Sequence, residues 1–286
     1  MSIKKISVTR VSDTGSDEAN DALAVEEPLE IRLGYIENGE KRSRNISVTM
    51  RTPGNDLELA TGFLFTEGII KRPSDITDAG HISIACIENR GNIIEVQLNA
   101  GVTPILGNLE RNFYTTSSCG VCGKGSINAI RTVGTFAKPA GEELLIQSAM
   151  LYRLPNLLRQ EQHVFETTGG LHASALFDHN GKLLAMREDV GRHNALDKLI
   201  GASLREDMLS LDKRILLLSG RASFELIQKA VMAGIRVVAS VGAPSSLAVE
   251  LAEEFDVTLI GFLRDRRFNI YTAARRVLLP LHENSD

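Results

Sequence analysis

The last hundred residues constrain the fold most. Ile215-Leu216-Leu217-Leu218 is a short run with no polar break, the pattern of a strand buried on both faces. A helical period follows over about 224–233, then a second apolar run over 236–240, a helix over 247–255 and a third run over 257–260. Strands alternating with helices of this length predict a β-α-β-α-β unit, and therefore a parallel sheet with right-handed crossovers.

The earlier part has a different period. Residues 29–33 and 45–50 alternate apolar and polar around Asn38-Gly39, a hairpin signal. After Pro53-Gly54, Asn55 and Glu58 fit a capping box for a helix carrying Leu57, Ala60 and Leu64 and ending near Gly68. A second hairpin is expected from 81–88 and 92–98 around Arg90-Gly91, and a third from 173–177 and 182–186. Helices are expected over 126–133, 146–160 and 194–204. Residues 11–29, rich in Ser, Asp, Glu and Gly, show no period and read as a mobile tail. The organisation expected is a flexible tail over 1–28, a β-rich subdomain over 29–114, a mobile cysteine loop over 115–125 and an α/β domain over 126–286.

Composition excludes several classes. The chain has 286 residues, a formal net charge of −4 and three cysteines, which argues against a dedicated nucleic-acid binder and against a disulfide scaffold. No apolar run approaches the roughly 18 residues of a membrane helix. The N-terminus does not resemble a signal peptide, so a cytoplasmic protein with reduced thiols is expected.

Four sets of residues carry chemistry. In Ser117-Ser118-Cys119-Gly120-Val121-Cys122-Gly123-Lys124, two thiols sit in a glycine-rich loop ahead of a predicted helix, with Lys124 alongside. Those features favour an accessible thiolate. The spacing alone leaves open structural zinc, thiol–disulfide redox and other thiol chemistry. Zinc would need further ligands, and the chain has no second cysteine pair. A redox pair of the thioredoxin kind would sit near the chain start in a βαβ unit.

The second set is Thr168-Gly169-Gly170-Leu171-His172-Ala173-Ser174. Gly170 permits close approach of a ligand, and His172 at the mouth of a strand can carry a proton, although a histidine so placed is more often simply satisfied beside a turn. Zinc deaminases need a glutamate where Ser174 stands, and their cysteine pair follows the histidine, so hydrolytic deamination is disfavoured. The third set runs from Arg187 to Lys198. Arg192, His193 and Asn194 gather donors at a helix entry after Gly191, although the commoner fate of such residues is a solvated helix start with ion pairs.

The fourth set is distributed over the C-terminal ends of the parallel strands, where open α/β sheets bind ligands. Those ends carry Ser219-Gly220-Arg221, Gly242-Ala243-Pro244-Ser245-Ser246 and Arg264-Asp265-Arg266-Arg267. Helix N-termini and guanidinium groups together suit a phosphorylated, nucleotide-bearing ligand, the alternative being that Arg264, Arg266 and Arg267 merely form surface ion pairs. Neither a Walker A loop nor a G-x-G-x-x-G motif occurs.

With these motifs in hand, the chain resembles the FdhD family of formate dehydrogenase accessory sulfurtransferases. The resemblance rests on Met50-Arg51-Thr52-Pro53, Gly62-Phe63-Leu64 with Glu67-Gly68, 118–124, 168–173, 188–198, Ser219-Gly220-Arg221, Ala243-Pro244-Ser245 and 261–267 with Tyr271. It implies a cytidine-deaminase-like α/β fold, a homodimer, and Cys119 as the persulfide carrier with Cys122 assisting or resolving. It implies no resident metal and no membrane or nucleic-acid partner. A cysteine desulfurase would be the sulfur donor and formate dehydrogenase the recipient of a sulfurated molybdenum bis(molybdopterin guanine dinucleotide) cofactor, which GDP could mimic. The family's cofactor segment falls on Phe262, Leu263, Arg264, Asp265, Arg266 and Arg267. Ser219, Gly220 and Arg221 would add to it, and Gly170, His172, Arg192, His193 and Asn194 would line the pterin side.

Overall fold

The computed structural model describes residues 2–82, 91–104 and 143–279. Cys86, Cys119, Cys122, Lys124 and the helix expected over 126–133 lie outside the described residues.

Residues expected to be a tail instead form an antiparallel hairpin of β1 (Ile3–Ser12) and β2 (Gly15–Ala24), in register from Ile3↔Ala24 to Ser12↔Gly15. The acidic, serine-rich stretch masks a weak alternation in which Ile6, Val8 and Ala19 are half-buried. Ser2 Oγ donates to the Pro53 carbonyl at 3.0 Å and ties the hairpin down.

The next unit is a four-stranded sheet of β3 (Glu27–Glu37), β4 (Glu40–Arg51), β5 (Ile76–His81) and β6 (Ile93–Leu98), in the order β4-β3-β6-β5. The β3–β4 turn is at Asn38-Gly39, both at positive φ, as a tight hairpin between twisted strands requires. β5, which the sequence did not suggest because Thr77, Asp78 and Gly80 dilute its pattern, runs up to the start of the strand expected over 81–88, of which 83–88 lie outside the described residues. Helix α1 (Asp56–Thr66) covers this sheet. The expected capping box does not form. Asn55 is left-handed at φ 57 and makes no side-chain cap, and Glu58 instead accepts Arg187 Nη2 at 2.8 Å.

The helix expected over 146–160 is broken into β7 (Ile146–Gln147), α2 (Ser148–Leu151) and α3 (Leu154–Glu161), with Pro155 in the first turn of α3, where its missing N–H costs nothing. After α4 (His163–Thr168) come β8 (His172–Phe177), β9 (Leu183–Asp189), α5 (Arg192–Arg205), β10 (Ile215–Leu218), α6 (Phe224–Met232), β11 (Val237–Ser240), α7 (Ser246–Glu254), β12 (Thr258–Arg264), β13 (Arg267–Ile270) and β14 (Val277–Leu278). A six-stranded mixed sheet has the order β13-β12-β11-β10-β8-β9, with β10, β11 and β12 parallel and the flanking strands antiparallel. Successive residues of β10 feed opposite faces. Leu216 and Leu218 enter the core shared with α1, α5, α6 and α7, while Ile215 and Leu217 enter the one built with α2 and α3. That two-sided burial is why the run is unbroken.

α1 and α5 lock the two sheets together at backbone contact. A Cβ on Gly62 would stand 1.9 Å from the Asp197 carbonyl oxygen, and one on Gly201 would stand 1.9 Å from that of Glu58. Only hydrogen fits at either position. Among the described residues no helix is long and apolar enough to cross a membrane.

Candidate functional site

The ends of the three parallel strands lie side by side at one edge of the sheet. Gly242 N–H donates to the Gly220 carbonyl at 3.0 Å, and Phe262 N–H donates to that of Gly242 at 3.0 Å. Each strand end carries a glycine because a neighbour occupies the Cβ position. A Cβ would be 3.2 Å from His172 Nδ1 at Gly220, 3.0 Å from Arg221 Cγ at Gly242 and 2.8 Å from Pro244 Cδ at Gly261. The loops leaving β10 and β11 then run together, with Ser245 N–H donating to the Ala222 carbonyl at 3.0 Å, and deliver the N-termini of α6 and α7 to the same rim. Ser245 caps α7 through Ala248 N–H at 3.2 Å.

His172, at the start of β8, stands over Gly220. Burial, and then the positive charge of Arg192 and of His193, holds its pKa below the ordinary value of 6.5. Arg192 begins α5, and its Nε is buried without a hydrogen-bond partner among the described residues. His193 Nε2 lies 2.9 Å from Glu225 Oε2 and 3.4 Å from Ser223 Oγ. Both oxygens face the same nitrogen, so this is not a Ser–His–Glu relay, which would use both ring nitrogens. Glu225 is a site residue that the sequence reading missed. An acid in the first helical turn after a strand passes for a helix-dipole complement.

Other expected site residues play structural parts. Asn194 is buried, with Nδ2 donating to the Met50 carbonyl at 2.7 Å and to Asp189 Oδ1 at 3.1 Å, and its Oδ1 accepting Thr49 Oγ1 at 3.1 Å. Leu263 is fully buried in the core, and the Ser219 hydroxyl accepts Ala173 N–H at 2.8 Å, zipping β10 to β8. Gly170 is exposed beyond α4, facing the Ala24 methyl of the N-terminal hairpin.

The 187–198 segment is not the solvated helix start that such composition usually makes. Asp189 is 0% exposed and Lys198 2%, with Nζ 2.7 Å from Asp189 Oδ2 and 2.8 Å from the Thr52 carbonyl. Asp189 also accepts Thr52 N–H at 3.1 Å and Gly191 N–H at 2.8 Å. Arg51, equally buried, makes a bidentate pair with Asp56 at 3.0 Å for both contacts. These groups form a latch between the β4–α1 connection and the β9–α5 connection.

Residues 262–267 turn out to be a bulge and a hairpin turn. Phe262 is left-handed at φ 55 where the β12–β13 register shifts, and Asp265 and Arg266 are left-handed at the tip, at φ 53 and 56. A bulge of this kind re-aims side chains at a sheet edge. Arg264, Asp265, Arg266 and Arg267 are all exposed, and Arg264 Nε is 4.0 Å from Asp265. The rim therefore brings together His172, Arg192, His193, Gly220 and Arg221, with the hairpin arginines at its outer edge. Among the described residues no group of three or more His, Cys, Asp or Glu is placed to hold a metal ion.

The profile of the FdhD/NarQ family matches residues 24–278. A protein of Mycolicibacterium paratuberculosis named sulfur carrier protein FdhD is 53% identical over 260 residues, covering 90% of this chain and 92% of its own. A protein of the same name from Saccharolobus solfataricus is 40% identical over 275 residues, covering 96% and 98%. A crystal structure of a formate dehydrogenase accessory protein from Desulfotalea psychrophila has the same fold, with a TM-score of 0.72 at 24% identity, covering 96% of this chain and 99% of that one.

Proposed function

The chain belongs to the FdhD/NarQ family, and from that premise we propose that it is a sulfur carrier acting for formate dehydrogenase. Cys119 takes sulfur from a cysteine desulfurase. Its thiolate attacks the outer sulfur of the donor persulfide, a new S–S bond forms on Cys119, the donor S–S bond breaks, and the donor cysteine leaves as a thiolate. Cys122 assists loading or resolves the carrier. The acceptor is the molybdenum bis(molybdopterin guanine dinucleotide) cofactor, held as substrate against the rim of β10, β11 and β12, with the persulfide's outer sulfur presented to the metal. The protein works in the cytoplasm as a homodimer, and GDP serves as a fragment of its substrate.

One observation carries this reading. Arg192, whose Nε is buried without a hydrogen-bond partner among the described residues, and the exposed Arg221, Arg266 and Arg267 border the strand ends where an open α/β sheet receives phosphorylated ligands. The charges of the described residues do not satisfy them, so the rim is suited to a polyanion.

The decisive test is intact-mass measurement after incubation with a cysteine desulfurase and cysteine. The wild-type protein is expected to gain about one sulfur per active thiol, and Cys119→Ala to gain none there while folding normally and yielding inactive formate dehydrogenase. Full formate dehydrogenase activity with Cys119→Ala would end the assignment. A wild-type protein that gains no sulfur yet still binds the cofactor would be a chaperone instead.

A further inference from the structure

We infer that the rim contains an inner oxyanion subsite, formed by Arg192 and His172 over Gly220, that holds the phosphate of the nucleotide-bearing ligand in preference to the hairpin arginines. The inference rests on the proposed function only in taking a guanylated ligand; the subsite itself rests on geometry.

Three observations converge. Arg192 has no ion pair among the described residues, and its Nε is shut off from solvent with no acceptor. A buried N–H of a charged group left without an acceptor is unfavourable, and an incoming oxyanion would relieve it. His172 is placed beside it by register, since its cross-strand partner Asp189 lies three residues before Arg192. Under the imidazole is bare backbone, for a Cβ on Gly220 would press on His172 Nδ1. Replacing Gly220 would displace the ring from this position.

The acidic groups around the subsite do not compete. Asp189 is committed to Lys198, Asn194 and the N–H groups of Thr52 and Gly191. Glu225 is turned to His193. Arg192, His172 and His193 therefore present net positive character. The hairpin arginines contrast with this. Arg264 is 53% exposed, and a guanidinium in water gains little from an ion pair. One half-buried, unpaired arginine outweighs several solvated ones for the same phosphate.

The test is calorimetric titration of the full-length protein with GDP, guanosine and inorganic phosphate. Arg192→Gln is expected to weaken GDP binding at least about tenfold while leaving guanosine binding unchanged and without lowering the thermal midpoint, with Arg192→Lys partly restoring it. The Arg264→Gln/Arg267→Gln pair is expected to change GDP binding less than about threefold. In the wild type, GDP should also shift the His172 imidazole resonances, a readout that needs no variant. Unchanged GDP affinity in Arg192→Gln, or loss confined to the hairpin pair, overturns the inference. Inorganic phosphate binding as tightly as GDP, in an Arg192-dependent way, upholds the subsite and sinks the guanylated-ligand reading. Binding of neither GDP nor phosphate sinks both.

Discussion

The latch between the β4–α1 and β9–α5 connections and the rim at the strand ends are neighbours along the chain, and they use charge in opposite ways. Asp189 and Lys198 are buried and saturated; each meets its opposite charge and backbone groups besides. Arg192, only three residues beyond Asp189, has an Nε with no such partner among the described residues. A second buried pair repeats the first pattern. Burial alone would push Lys229 down, but the carboxylates of Asp197 and Glu67 outweigh this and hold its ammonium charged, with Nζ 2.9 Å from both Asp197 oxygens. Charge that is paired on every side belongs to the architecture, and charge left unpaired where the fold opens belongs to the ligand. This is why a dense run such as Glu188–Lys198 carries two roles, with Arg192 and His193 turned to the rim and Asp189, Asn194 and Lys198 to the latch.

The largest expected effect breaks the latch. Asp189→Ala would leave the Lys198 ammonium buried without its carboxylate, an uncompensated charge that costs about 3–5 kcal/mol. Denaturant titration should show the midpoint falling by that amount, or no folded protein at all. A loss below about 1 kcal/mol would mean that the pair is solvated and that the contrast with the rim is false. The matched change on the other side of Gly191, Arg192→Gln, should not lower the midpoint, since it removes a buried N–H that has no acceptor among the described residues.

The next effect tests the joint between the sheets. Gly201→Ala would gain about 1 kcal/mol from helix propensity. Against that, its Cβ would stand 1.9 Å from the Glu58 carbonyl oxygen, a backbone atom that no rotamer change can move. Overpacking of this kind costs about 1–3 kcal/mol, so the net change should be destabilising, as seen by the thermal midpoint. Stabilisation instead would show that α1 and α5 separate easily, and that the latch alone joins the two units.

Much of this architecture was legible because it follows from strong local physics. The run at 215–218 could only be a strand covered on both faces, and Asn38-Gly39 could only be a tight turn. What escaped was tertiary. Glu58 had the right spacing to cap α1, but Arg187 took it. Pro155 split a helix whose period ran straight through it, and the hairpin at 3–24 hid behind acidic composition. At the rim, His172 and Arg192 could be singled out by type. The placing of His172 over Gly220, and near Arg192, depends on the register of β8 against β9 and β10, which no local pattern encodes. Asn194 looked equally promising and serves the latch, because two steps along α5 from Arg192 turn its side chain from the rim into the interface.

The smallest expected effect is the sharpest on the rim itself, since it reads the charge on His172 directly. Burial, Arg192 and His193 depress this pKa in the folded state, while Asp189 opposes them weakly. In the unfolded chain the imidazole takes its proton near the ordinary value of 6.5. As pH falls through that value the unfolded state binds a proton that the folded state resists, so stability is lost on acidification until the lower folded pKa is passed. His172→Gln should remove this component and flatten the stability curve on the mildly acidic side of neutrality, by less than about 1 kcal/mol because the ring is only half-buried and solvent screens it. A bound phosphate would reverse the sign by favouring imidazolium. The stabilisation that GDP confers should therefore grow as pH falls, in the wild type but not in His172→Gln. Equal growth in both proteins would place the phosphate away from His172 and leave the outer arginines as its holders.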